Sequence, residues 1–94
     1  MSAQQHATEN LTVRYKVKDY ASWRTGYDAN EKSRLWAGIT NGRVFRSPED
    51  PNDVVVLQDV TGVAKARTWF GSDDLKAAMQ KSGVIGSPSI RFAA

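Results

Sequence analysis

Tyr20, Trp23, Tyr27, Asn30 and Arg34 follow one another at intervals of three and four residues, which at about 100° per residue places them within an arc of about 80° on one helix face. The stripe begins aromatic and ends in an amide and a guanidinium. Such a set can act on a flat, electron-rich ligand: Trp23 and Tyr27 as a stacking wall, Asn30 as a donor to a carbonyl or phenolate, Arg34 as a cation for developing negative charge. A phenol or anthrone held there gives a phenolate or carbanion on losing a proton. That anion can react with oxygen without flavin or metal, or it can close a ring. Asp28 and Glu31 lie near the same face as candidate bases, and Tyr15 and Tyr27 are weak ones with ordinary values near about 10. Tyr15 also joins Trp23 and Tyr27 as a candidate substrate-binding residue.

A structural reading competes for the same residues. Aromatic stripes at helical spacing pack as core, and Asn30 and Arg34 near a helix end can bond to backbone or solvent. Trp36 points roughly away from the stripe, and it and Trp69 suit an interface or a pocket rim.

The stripe needs a helix to carry it and a sheet to face. Asp19 is a plausible N-cap, and the spacing predicts a helix of about five turns from Tyr20 to Gly38. Before it, Leu11, Val13, Tyr15 and Val17 alternate with Thr12, Arg14 and Lys16, the period of a half-buried strand. Ile39–Ser47 reads as a second strand, with Gly42 a possible irregularity that decides how Arg43 and Arg46 face. Ser47–Asp53 is dense in turn formers, and Asp53–Val60 is a β-branched run with apolar residues on both faces. Thr61 can cap a short helix with Val63, Ala66 and Phe70 as its stripe. Gly71 interrupts it, and Ser72 caps a second segment with Asp73 and Asp74 in its first turn and Gly83 beyond its end. Val84–Pro88 reads as a connector and Ser89–Phe92 as a last strand. The order is βαββαβ, the ferredoxin-like α+β arrangement with an antiparallel four-stranded sheet.

The sheet's other face carries both charge and valines. Arg14, Lys16 and Arg91 point away from the helices, with Asp59 and Glu49 as candidate partners. Some of Val54, Val55, Val56 and Leu57 must point the same way, so a homodimer through the open sheet face is expected.

Composition narrows the function classes. The 94 residues contain no cysteine and one histidine, His6, which removes disulfide frameworks, thiolate nucleophiles, iron–sulfur ligation and imidazole-rich metal sites. The length suits one domain over 11–94 after a flexible lead-in over 1–10. A net charge of +3 is scattered rather than gathered into a basic run, so nucleic-acid binding is not indicated. Neither a membrane span nor a signal peptide is expected, and a cytoplasmic location follows by default. Gly83–Gly86 lacks the strand-to-helix context of a phosphate loop, and Asp73-Asp74 reads as dipole compensation rather than a metal site.

Val17-Lys-Asp-Tyr-Ala-Ser-Trp23, Gly42-Arg-Val-Phe-Arg46, Pro51-Asn-Asp-Val-Val-Val-Leu57 and Val84-Ile-Gly-Ser-Pro88 together resemble the small bacterial dimeric α+β barrel proteins, often described as antibiotic-biosynthesis-monooxygenase-like or cyclase-like. The resemblance runs from about Leu11 to Phe92. It implies a homodimer whose sheets face each other, with a pocket between helices and sheet in each subunit. Relatives of this kind oxidise small aromatic molecules with oxygen and no bound cofactor, cyclise or isomerise them, or degrade haem. Haem-handling relatives hold iron through a histidine, and His6 stands in the lead-in.

The expectation is therefore a cofactor-independent monooxygenase or cyclase for an aromatic or polyketide-like compound, with Asn30 and Arg34 catalytic, Trp23, Tyr27 and Tyr15 binding substrate, and no cofactor or metal. The alternative is a non-catalytic small-molecule-binding or accessory dimer of the same fold, favoured by the lack of an evident base.

Overall fold

In the computed structural model, which describes residues 9–93, strand β1 (Glu9–Val17) buries Leu11, Val13, Tyr15 and Val17 and leaves Arg14 and Lys16 exposed. The alternation is realised as expected. The strand begins at Glu9 rather than Leu11, so Glu9 and Asn10 belong to the sheet; the remainder of the expected lead-in, His6 included, lies outside the described residues.

The chain continues through α1 (Tyr20–Ala29), α2 (Glu31–Trp36), β2 (Ile39–Arg46), β3 (Asp53–Val60), α3 (Val63–Phe70), α4 (Asp73–Lys81) and β4 (Val84–Ala93). The described strands form one sheet in the order β2-β3-β1-β4, antiparallel throughout. Trp23, Ala37 and Ala66 from the helical segments share one core with Leu11, Val13, Val54, Val56 and Val60. This is the ferredoxin-like α+β arrangement. No helix among the described residues is long and apolar enough to cross a membrane.

The single five-turn helix expected between Tyr20 and Gly38 is instead two helices meeting at Asn30, whose φ of −92° and ψ of 11° leave the helical region. Asp19 caps α1 as expected, its Oδ2 accepting from the Ser22 backbone N–H at 2.9 Å. At the break the Asn30 N–H donates to the Tyr27 carbonyl at 3.2 Å, a tighter turn than the α-helical one. Asparagine competes for local hydrogen bonds and favours such junctions over helix interiors. One other expectation changes and one holds. Gly62, not Thr61, is the N-cap of α3, without a side-chain cap bond, whereas Ser72 caps α4 as expected by accepting from Leu75 N–H at 3.2 Å.

Strand β4 takes in Val84–Pro88, expected as a connector. Arg14 pairs with Ser89 and Lys16 with Ile85, so Gly86, Ser87 and Pro88 together face Tyr15 alone. Gly86 has a φ of 68°, open to glycine at little cost. On an edge strand the N–H that proline lacks need not have a ladder partner, which is why turn-forming residues persist inside a strand here. The second bulge is the one expected near Gly42. Thr40 pairs with Asp59 and Arg43 with Leu57, so Asn41 and Gly42 both face Gln58, and Asn41 takes a φ of 55°. The bulge sets the facing of the two arginines. Arg43 shares the open side with Leu57, and Arg46 turns to the helices, its Cζ 3.8 Å from the centre of the Tyr20 ring.

On the open face Val55 and Leu57 are half-buried while Phe45 and Ile85 are 48% and 52% exposed. The charges among them are paired differently from the sequence expectation. Asp53, not Asp59 or Glu49, takes Arg14, accepting from Nε at 2.9 Å and from Nη2 at 2.5 Å. Lys16 Nζ stands 3.8 Å from Asp50 and 3.9 Å from Asp53, Asp59 accepts from Asn41, and Glu49 accepts from Ser47. The Arg14 guanidinium holds the Asp53 carboxyl below its ordinary value. Between the ordinary carboxylate value near about 4 and that lower native value, the unfolded chain binds a proton the folded chain refuses, so stability falls as pH falls. Asp19, lowered by the Ser22 backbone N–H, acts with the same sign. Thermal melts from pH 7 down to pH 2 are expected to show Asp53→Asn less stable than wild type at neutral pH and flatter below about pH 4.

Candidate functional site

Helix α1 lays its aromatic stripe over β1. The Trp23 ring, 2% exposed, lies 5.2 Å from Tyr15, 5.9 Å from Tyr20 and 5.0 Å from Tyr27 between centroids, stacked on Tyr27 at 27°. Contacts of this kind contribute about 0.5–1.5 kcal/mol each beyond the area they bury.

Arg34 reaches the group from α2 because the chain breaks at Asn30. Its Cζ sits 3.6 Å above the Tyr27 ring centre, and its Nη1 donates to the Tyr27 carbonyl, one of the acceptors freed where α1 ends. Tyr27 therefore packs against both an indole and a guanidinium. Arg34 belongs to a different helix from the one the spacing implied, yet arrives on the same face.

Tyr15, Trp23, Tyr27, Asn30 and Arg34 all line one cavity between the helices and the sheet. Trp69 from α3 and Met79 from α4 close it on the far side, so Trp69 takes the rim position considered for it. Trp36 stays outside, 60% exposed with Lys65 Nζ 4.3 Å from its ring centre. The cavity holds only about 30 Å³, room for ordered water and not for an aromatic ring. A neighbouring groove of about 440 Å³ is lined by Arg24, Asp28, Glu31 and Asn41 and shares Tyr27, Arg34 and Gln58 with the cavity. Those three side chains stand at the boundary of the two. Arg34 covers a face of Tyr27 in this arrangement.

The candidate bases divide accordingly. Asp28 and Glu31 line the outer groove, and Arg24 Nε donates to Asp28 Oδ1 at 3.1 Å. Burial pushes the Tyr15 hydroxyl well above its ordinary value, with the Arg34 charge only partly opposing this. That direction runs against the role of base that the sequence reading also offered for Tyr15. No cluster of three or more His, Cys, Asp or Glu suited to a metal ion occurs among the described residues.

Gln58 was not singled out in the sequence. It is buried on the helix side of β3, in the row Val54, Val56, Gln58, Val60, and its Nε2 donates to Tyr27 Oη at 3.1 Å. The signal was a lone amide in an otherwise valine row of period two. Gly42 takes part through what it lacks, because a Cβ at this position would overlap Tyr27 Oη. Gly42→Ala is expected to displace the Tyr27 ring and cost about 1–3 kcal/mol, read as a lower urea midpoint at unchanged slope.

No family model matches the sequence, and no curated protein matches it. Solved structures do. A Bordetella bronchiseptica protein assigned to the antibiotic biosynthesis monooxygenases superposes with a TM-score of 0.75 at 15% identity, covering 93% of this chain and 95% of that one. SnoaB, a cofactor-independent oxygenase from Streptomyces nogalater, gives 0.67 at 14% identity over 94% and 95%. A Streptomyces coelicolor monooxygenase in complex with nanaomycin D gives 0.62 at 18% identity over 97% and 89%. The superpositions cover nearly all of each chain, at identities too low to carry an activity across. The chain has the α+β fold of the antibiotic biosynthesis monooxygenase-like proteins.

Proposed function

We propose that the protein binds a small aromatic or polyketide-like molecule between α1 and the sheet and oxidises it with dioxygen without a bound cofactor. The observation that carries this reading is the convergence of an aromatic wall, two phenols, an amide and a guanidinium on one cavity. The cofactor-independent oxygenase and the nanaomycin D complex among the structural neighbours support it. The ligand displaces Arg34 from the Tyr27 ring and stacks there, and the freed guanidinium with Asn30 stabilises its enolate or phenolate. For an anthrone the chemistry closes: the methylene carbon loses both hydrogens and gains one oxygen atom, and the other oxygen leaves as water.

Among the described residues the cavity lining includes no carboxylate or imidazole, so the first proton leaves by the ligand's own acidity, enhanced beside Arg34, to water or to the carboxylates of the outer groove. The same feature favours the second reading, a binding protein or a ring-closing catalyst. Oxygen uptake separates them. With a hydroxyanthrone, chelator-treated protein is expected to consume oxygen well above a protein-free control, while binding of the same compound without uptake favours the second reading.

The proposal includes a homodimer through the open sheet face. Phe45, Val55, Leu57 and Ile85 offer apolar surface there, at about 25 cal/mol per Å² if covered, and Asp53 meets the objection of an unpaired buried charge for Arg14, which leaves Arg43 and Arg91 to lie at the rim. Sedimentation equilibrium is expected to give a dimer for wild type and a monomer for Leu57→Asp. A monomeric wild type rejects this part.

A further inference from the structure

Three elements converge on the single oxygen of Tyr27, and core packing does not require it. Gln58 is 6% exposed on the central strand, where the rest of its row is valine. A primary amide is a costly occupant of such a row unless bonded, and its Nε2 is bonded to Tyr27 Oη at 3.1 Å. Directly opposite, β2 bulges so that Asn41 and Gly42 face Gln58 together, and the residue nearest the phenol is the one without a Cβ. Trp23 and Arg34 both pack on the ring and hold its plane.

A phenol has one proton and can both donate and accept, whereas an amide nitrogen only donates. With Gln58 Nε2 as its donor, Tyr27 Oη is the acceptor of that bond, and its own proton is free to point elsewhere. Tyr27 and Gln58 both border the cavity and the outer groove.

Resting on the function proposed above, we infer that Gln58 is a positioning residue: it holds Tyr27 Oη as an acceptor so that the phenol proton is directed at an oxygen of the ligand. The ligand is thereby of a class with an acceptor oxygen on a flat ring system, a quinone, an anthrone enolate or an aryl ketone. A purely hydrocarbon aromatic gains nothing from the arrangement. Gln58 acts through Tyr27, which makes the two substitutions non-additive.

The test has a ligand-free arm and a ligand arm. In protein labelled at tyrosine Cζ, Gln58→Met, which keeps the volume and removes the donor, is expected to shift the Tyr27 resonance, identified by its loss in Tyr27→Phe. The thermal melt shows that the variant remains folded. In the ligand arm, 1,8-dihydroxyanthraquinone is titrated against anthracene. Quinone affinity is expected to fall about tenfold in Gln58→Met, Tyr27→Phe and the double variant alike, with anthracene unaffected.

An unmoved Tyr27 resonance in Gln58→Met overturns the inference, as do losses that add in the double variant or fall equally on anthracene. If wild type binds neither compound, the proposed function has failed by that result. The Cζ comparison then decides on its own whether Gln58 orients Tyr27.

Discussion

Arg34→Ala is expected to lower protein-dependent oxygen uptake with a hydroxyanthrone by about 100-fold or more, the size of effect seen when a group stabilising transition-state charge is removed. Among the described residues the guanidinium is the one cation lining the cavity, and no other described lining group can take its place opposite an enolate. Its structural contribution is smaller: one bond to the Tyr27 carbonyl and one cation–π contact. Together these amount to about 1–2 kcal/mol. The variant therefore folds, and the loss falls on turnover beyond any change in affinity. Arg34→Lys keeps the charge without the planar fork that stacks and donates together, so partial recovery of rate is expected. If Arg34→Ala lowers affinity while the rate at saturation stays intact, Arg34 is a binding group and not a catalytic one.

The largest stability loss is expected at Trp23. The indole is 2% exposed and touches the rings of Tyr15, Tyr20 and Tyr27. Trp23→Ala removes it from the middle of that array and leaves a cavity beneath α1, at a cost of about 3–5 kcal/mol. For a domain of this size that is a melting temperature lower by about 15–30 °C, against a total stability of about 5–15 kcal/mol. Trp23→Phe keeps a ring in place and is expected to recover more than half of the loss. A melt of Trp23→Ala within a few degrees of wild type would show that the stripe is not the core of this fold.

Local signals explain how much of this was legible in advance. The alternation in β1 and the caps of α1 and α4 each rest on a few adjacent residues, and each appears where the sequence places it. Trp23, Tyr27, Asn30 and Arg34 reach one cavity because helical spacing survives the break between α1 and α2, and Tyr15 joins them from β1. The break itself carried only a weak mark, Asn30, with no glycine or proline beside it. In β4 the marks pointed the wrong way, since Gly86 and Pro88 are absorbed by a bulge on an edge strand instead of ending it.

What stayed hidden depends on register between strands. Asp53 meets Arg14 only because β1 and β3 pair as they do, and Asp59 and Glu49 looked equally plausible without that register. Gln58 meets Tyr27 through a bulge two residues wide on a third element. The small size of the cavity is likewise a property of packed side chains, and no spacing in the chain announces it.

The reading of this protein as a cofactor-free oxygenase is tested most directly by isotope. A hydroxyanthrone is turned over by chelator-treated protein under ¹⁸O₂, and the quinone is weighed against a protein-free control. One ¹⁸O atom per quinone, formed at a protein-dependent rate, is the predicted result. Quinone formed no faster than in the control, or quinone whose new oxygen comes from water, would contradict it.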